Sequence, residues 1–337
     1  MIYAEAFLLA AAAVLGGFCS YSDIQRGIIP NKLLLYAMAA GAIGHTALLI
    51  CGAAPYYPTW LVNMALADLI AFLLYRNRMW AAGDAKLFMA MYFLMPPPML
   101  DAGGLTYSII PYIYIFLPAL GWMALDSMIR FLRKEPRKKQ GPVDWKKMVV
   151  HCVIIMLEST ALFCLAEWAI PEFVHENEMF AAALIMIYAW FCGSVQFMRK
   201  VPVILGHALT LLAAWILGAW KLTIPDWRTY LLMAGVILFQ RITSGYNYRL
   251  VDPQEIREGM IPAADTVLLF RQSRVHDLPT DFSEELTAKI TKEEADAVRR
   301  WSKTAKGQAR IWIVRKVPFA FMISLGFIGW ALMRIAR

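Results

Sequence analysis

Two aspartates stand at the margins of hydrophobic runs. Asp23 lies in Ser22-Asp23-Ile24-Gln25-Arg26-Gly27-Ile28-Ile29-Pro30-Asn31-Lys32-Leu33, and Asp84 lies in Ala81-Ala82-Gly83-Asp84-Ala85-Lys86-Leu87. A carboxylate is costly near lipid, so a pair of them there points to chemistry. Two close carboxylates cannot both ionise easily. One pKa rises, and the pair holds a single proton near neutral pH. The ionised member can take a proton from water while the protonated member polarises a scissile carbonyl, which is the chemistry of peptide hydrolysis. Such a pair titrates with two macroscopic pKa values, and residue type alone does not say which aspartate is base and which is acid.

The elements that must position these groups are membrane helices. Of 337 residues 60% are hydrophobic and 17% charged, with mean hydropathy +0.52, where soluble domains carry about a quarter charged residues. Backbone polar groups in lipid must pair internally, and apolar runs near 20 residues without alternation select helices over a barrel. Met1-Ile2-Tyr3-Ala4-Glu5 lacks the basic start of a cleavable signal peptide, so the first run is expected to remain as a span. Cys19, Cys51, Cys152, Cys164 and Cys192 are scattered without a C-x-x-C pair, which indicates neither a zinc site nor a disulfide framework. No metal or other cofactor is expected.

The expected fold class is an all-α polytopic membrane protein of about ten transmembrane helices, with a small cytoplasmic α/β insert before the last helix. The spans are placed at about 3–22, 32–52, 58–75, 83–96, 105–128, 148–170, 178–197, 202–220, 228–243 and 316–334. Alternate connections then hold 29 of the 33 Lys and Arg, and only Lys221, Arg228, Arg334 and Arg337 fall on the other side. The connection at 168–178 carries Glu172 and Glu176 instead. By the positive-inside rule the N-terminus is outside, and the basic connections face the cytoplasm of a plasma (inner) membrane. Asp23 ends the first span and Asp84 opens the fourth, so both fall at the cytoplasmic edge. The net charge of +8 is explained by juxtamembrane loops facing anionic lipids and requires no nucleic-acid partner.

The surrounding residues suit a pair. Pro30 is expected in the first turn of the second helix, where its missing N–H costs nothing. Asp84 is expected at a helix N-terminus, whose dipole favours the ionised form. Gly83 beside it lets another backbone or a substrate approach closely. Pro96-Pro97-Pro98 stops the fourth span after about 13 residues, or ~20 Å against a ~30 Å hydrocarbon core. Asp84 is therefore expected below the headgroups, in a wet pocket or a locally thinned bilayer.

An aspartate followed by Ile29-Pro30-Asn31, then Gly83-Asp84-Ala85-Lys86 some sixty residues on, resembles the type IV prepilin peptidases. The resemblance covers roughly residues 5–110. It implies an aspartic membrane protease that removes a short basic leader from pilin-like, membrane-anchored precursors at the cytoplasmic side. It also implies Asp23 and Asp84 as the catalytic pair, with Gly83, Lys86, Pro30 and Asn31 as motif support. Ala81 stands where the family's first motif glycine lies, which makes this loop bulkier. The usual bacterial form has a zinc-binding pair of Cys-x-x-Cys motifs in a long first loop and an N-methylating activity. Here that loop is short and has no such cysteines, so cleavage without methylation is expected. The segment from Ile256 to Ala263, with the insert behind it, is similar to the cytoplasmic part of archaeal-type preflagellin and prepilin peptidases.

The chain then divides into a catalytic membrane core at 1–128, a basic loop at 129–147, additional helices at 148–244, a small domain at 245–315 and a final helix at 316–337. Within the small domain, Thr266 to Phe270 is expected as a strand. Thr291 to Trp301 is expected as a helix opened by a capping box between Thr291 and Glu294. Asp68, midway along the third span, is expected to be protonated or paired inside the bundle. Asp126 reads as an interface residue. Pro118-Ala119-Leu120 resembles the Pro-Ala-Leu motif of presenilin-like proteases but is taken as chance. His45, His151 and His207 are expected to make polar bundle contacts. Two rival functions remain: a catalytically degenerate relative that binds pilin-like helices as a secretion scaffold, and a transporter relaying protons through Asp68 and Asp126. The transporter predicts an inverted repeat, which the sequence does not display.

Overall fold

The computed structural model describes residues 1–76, 79–100, 107–138, 145–169, 201–217, 227–273, 275–284, 288–315 and 317–335. The chain forms two compact units, Met1–Ala119 with Asn247–Arg337, and Leu120–Tyr246.

The first unit contains a helical bundle. Helix α1 (Ile2–Arg26) buries Leu8, Ala12, Leu15, Gly16, Cys19, Ser20 and Asp23, a stripe at the three- and four-residue spacing of one helical face. It ends where Gly27 takes φ 69° and ψ 22° and returns its N–H to the Asp23 carbonyl at 2.9 Å. Only a residue without Cβ adopts that left-handed conformation at no steric cost. Helix α2 (Asn31–Ile50) follows Pro30, which is the N-cap at φ −70° and ψ 124°. Proline thus sits one position before the first turn rather than inside it. Its extended ψ carries the chain from the Gly27 turn into the new axis. Helices α3 (Tyr57–Arg76) and α4 (Ala82–Phe93) continue the bundle, as does α5 (Ile110–Leu132) as far as Ala119, where this unit ends.

The last helix returns to this bundle, α11 (Phe319–Ile335), and packs along α1 and α4. Aromatic rings fill the centre. Phe88 stacks on Tyr112 at 4.5 Å and meets Phe327 of α11 at 5.3 Å, and Trp80 meets Phe319 at 5.7 Å. Each such pair is worth ~0.5–1.5 kcal/mol beyond the area it buries.

Among the described residues, five helical stretches are long and apolar enough to cross a membrane: Ile2–Arg26, Asn31–Ile50, Ala54–Arg76, Ile110–Leu132 and Met148–Leu165. Tyr230–Arg241 and Phe319–Ile335 are apolar but shorter. Helix α4 has 12 residues, or ~18 Å, and the 3-10 turn at Pro97–Leu100 follows it. The expected span at 178–197 lies outside the described residues, as do Cys192, Arg199, Lys200 and most of the 168–178 connection. The protein is a mostly helical membrane protein.

The second unit holds α6 (Trp145–Ala169), α7 (Val201–Ile216) and α8 (Trp227–Thr243). Ile155 packs with Met233 and Ile237, and Ala161 and Cys164 with Ala214. Thr160 and Tyr230 share a hydroxyl hydrogen bond at 2.6 Å. Two acids of α6, Glu158 and Glu167, are buried. Asp126, near the end of α5, pairs with Arg130 at 3.0 Å.

The small domain belongs to the first unit. Its sheet has the order β1-β3-β2, with β1 (Tyr248–Val251) and β2 (Ile261–Pro262) both antiparallel to the central β3 (Ile311–Val314). Two helices cover it, α9 (Ala264–Arg271) and α10 (Lys292–Ser302). Their core includes Phe270, Ile290, Val298, Trp301, Ile311 and Ile313. The capping box forms as expected: the Glu294 N–H donates to Thr291 Oγ1, and the Thr291 N–H donates to the Glu294 carboxylate.

One expectation is corrected. Thr266 to Phe270 is helical, within α9, and not a strand. The Thr266 hydroxyl donates to the Trp312 carbonyl at 2.8 Å and accepts the Trp312 N–H at 3.1 Å. Val267 and Phe270 are buried at i and i+3 while Leu268 is exposed, which is the burial pattern of a helix.

Candidate active site

The two aspartate motifs come together at one end of the bundle. Asp23 occupies the last turn of α1 and is 5% exposed. Beyond it the chain is tied back by Ser22, whose hydroxyl donates to the Ile28 carbonyl at 2.8 Å. That bond and the Gly27 turn fix the short path to Pro30. Ile29 on this path lies against the start of α4, where a Cβ added to Gly83 would stand 3.3 Å from the Ile29 Cβ. A hydrogen atom at Gly83 is what lets the two segments touch. Beside this contact Lys86 donates to the Asn31 side-chain oxygen at 3.3 Å. Four of the expected site residues thus belong to one junction: Gly83, Lys86 and Asn31 by contact, and Pro30 by starting α2.

Asp84 is in the first turn of α4 and half-buried. Its carboxylate accepts the Ala81 N–H at 3.3 Å, a reach back to the N-cap that satisfies one free donor of the helix end. The positive end of the α4 dipole acts on the same carboxylate. Ala81 itself has φ −72° and ψ 154°, ordinary extended backbone for any L-residue. Alanine at this position therefore causes no backbone strain.

A residue outside both motifs also reaches the site. The Ala320 N–H, at the start of α11, donates to Asp23 Oδ2 at 3.3 Å across 297 positions of sequence. No pattern in the sequence announces a backbone donor at that distance. The one available signal is the pair of small residues Gly16 and Ser20, four apart on the Asp23 face, which marks close helix approach.

The remaining candidates lie elsewhere. Asp68 is half-buried midway along α3, beside Tyr92 and Tyr112, and its Oδ1 has no hydrogen-bond partner among the described residues. The Tyr112 hydroxyl donates to the carbonyl of Ala67 at 2.6 Å. His45 makes bundle contacts, with Nδ1 3.0 Å from the Tyr57 hydroxyl and Nε2 2.7 Å from the Phe93 carbonyl. The side chains of His151 and His207 are outside the described residues.

A carboxylate at each of two helix ends, with the Gly27–Pro30 connection touching the start of α4 at one end of the bundle, makes this a helical membrane protein with a candidate site at that end. Comparison with known proteins narrows it. Residues 8–124, the stretch that holds both motifs, match the type IV leader peptidase family. Prepilin peptidase EppA of Methanothermobacter thermautotrophicus is 35% identical over 80 residues, which cover 23% of this chain and 21% of that protein. The chain thus spans about a fifth of the length of this curated relative. No solved structure matches.

Proposed function

We propose that this protein is a membrane-embedded aspartic endopeptidase of the prepilin peptidase type. The observation that carries the reading is the junction of the two motifs, Gly83 against Ile29 and Lys86 bonded to Asn31, within the stretch matched by the leader peptidase family.

Asp23 and Asp84 act as the catalytic pair. One carboxylate removes a proton from water as the water oxygen attacks the scissile carbonyl. The other, protonated, donates to that carbonyl oxygen and stabilises the tetrahedral intermediate. The C–N bond then breaks, the leaving nitrogen takes the proton that came from water, and one hydroxyl of the intermediate returns its proton to the pair as the new carbonyl forms. The substrate is a membrane-anchored, prepilin-like precursor with a short basic leader, a small residue at the cut and an apolar helix. Its helix lies among the spans, and its cut falls at the cytoplasmic edge of the plasma membrane beside the two aspartates. The enzyme cleaves without methylating the new N-terminus.

Conservative replacement tests this. Asp23→Asn or Asp84→Asn should abolish processing of a prepilin-like precursor while expression and thermal stability persist. Full processing by either variant overturns the peptidase reading. Tight precursor binding without turnover by the unmodified protein would favour a pilin-binding scaffold instead.

A further inference from the structure

We infer that the C-terminal helix α11 is the positioning element for Asp23, with the Ala320 backbone N–H holding one oxygen of its carboxylate. The inference rests on the peptidase reading above. It extends the site beyond residues 8–124, the stretch that the family match covers.

Ala320 is the second residue of α11. An N–H in the first turn of a helix has no partner within that helix. Here it points to Asp23 Oδ2 at 3.3 Å. Ala320 is wholly buried and Asp23 nearly so, so water does not readily replace this donor if it is lost.

The bond depends on where α11 sits, and a seam of small residues sets that place. The Ser324 hydroxyl lies between the carbonyls of Ala320 at 2.8 Å and Gly16 at 3.1 Å, and it accepts the Ser20 hydroxyl at 3.1 Å. A Cβ on Gly16 would stand 2.8 Å from Ser324 Oγ and 2.9 Å from its Cβ. The two helices meet as closely there as a glycine permits. On its other flank Gly326 leaves no room for a Cβ against Ile115 and the Tyr114 carbonyl of α5. At the far end Arg334 donates to the Met99 carbonyl at 2.8 Å, with its guanidinium 4.8 Å from the centre of the Tyr107 ring. Held on two sides and at both ends, α11 has little freedom to slide. Sliding by one turn, ~5.4 Å, would take Ala320 out of reach of Asp23.

The experiment uses the full-length protein in detergent and a prepilin-like peptide with a basic leader and an apolar helix. Turnover (kcat and KM) and thermal unfolding are both measured. Ala320→Pro removes the donor within the first turn of the helix, where proline is tolerated and the helix does not use the N–H. Its kcat should fall roughly ten- to a hundredfold, as expected for loss of a hydrogen bond to a charged group, with KM unchanged. Because proline adds bulk at a buried position, a second pair decides independently if this variant does not fold. Gly16→Ala pushes α11 from α1 and should lower kcat, whereas Gly17→Ala, where a Cβ would meet nothing within 4 Å, should leave it unchanged. A folded Ala320→Pro with full kcat, or a folded Gly16→Ala that turns over as fast as Gly17→Ala, overturns the role of α11. Asp23→Asn, measured alongside, separates the two ideas. If it cleaves at full rate, the peptidase assignment itself fails. If it is inactive while Ala320→Pro is unaffected, only the positioning role is lost.

Discussion

The contact between Gly83 and Ile29 gives a graded test of whether the motif junction sets activity. In Gly83→Ala the new Cβ would stand 3.3 Å from the Ile29 Cβ and 3.4 Å from its Cδ1, so the neighbour must yield by a few tenths of an ångström. Against this, alanine stabilises a helix by up to ~1 kcal/mol over glycine, less in the first turn. The two effects offset, and thermal unfolding should move by no more than a few degrees, about what a ~1 kcal/mol change produces. Activity should fall more than stability, because Asp84 is the next residue and moves with the backbone. A misplacement of about 1 Å can cost ~100-fold in rate, so a shift of tenths should cost several-fold. Gly83→Leu asks for more. Its branched side chain must enter space filled by Ile29, at an overpacking cost of ~1–3 kcal/mol, and turnover should drop by roughly a hundredfold. The assay is cleavage of a prepilin-like peptide by purified protein, with unfolding followed in the same detergent. A folded Gly83→Leu variant that cleaves at the unmodified rate would refute the idea that close approach of these two segments shapes the site.

Two further tests address other contacts. Lys86 and Asn31 are both exposed, so their bond should contribute only ~0.5–1 kcal/mol; a double-mutant cycle of Lys86→Ala and Asn31→Ala on turnover should show coupling of that size, and strict additivity would mean that the bond plays no part. Trp301→Ala empties the centre of the small domain, where Trp301 is wholly buried and meets Phe270 edge-on at 4.9 Å. It should cost ~3–5 kcal/mol and expose residues 247–315 to limited proteolysis before the helical bundle opens; unchanged protease resistance would show that this core does not hold the domain together.

What the sequence disclosed was local. Asp23 and Asp84 are legible because their flanks, Ile29-Pro30-Asn31 and Gly83-x-x-Lys86, are short-range patterns. The Thr291–Glu294 box is legible because its bonds close within three residues. The approximate positions of α1 to α6 follow from apolar length alone. Thr266 to Phe270 misled because a five-residue apolar run with β-branched members fits strand and helix equally. A bond from the Thr266 hydroxyl to Trp312, 46 residues on, goes with the helical outcome. Ala81 looked like a defect in a glycine motif. Its extended φ and ψ show that the position needs no glycine conformation. The Ala320–Asp23 bond was illegible in principle, since any residue but proline offers the same N–H.

That bond also bears on how the first unit is assembled. It consists of Met1–Ala119 and Asn247–Arg337, with Leu120–Tyr246 intervening as a unit of its own. The family match ends at residue 124, close to where the first segment ends. Yet α1 packs extensively against α11, at the far end of the chain, as well as against its neighbour α2. Closing a long loop is less costly than its length suggests, about 0.6 kcal/mol for each doubling. The α1–α11 seam offsets that cost with buried surface and with the Ser20–Ser324 and Ser324–Gly16 contacts. Residues 120–246 can therefore be large without loosening Asp23, provided that the seam stays closed. On this logic the contacts of Gly16, Ser20, Ala320 and Ser324, rather than the length of the intervening segment, set the position of Asp23.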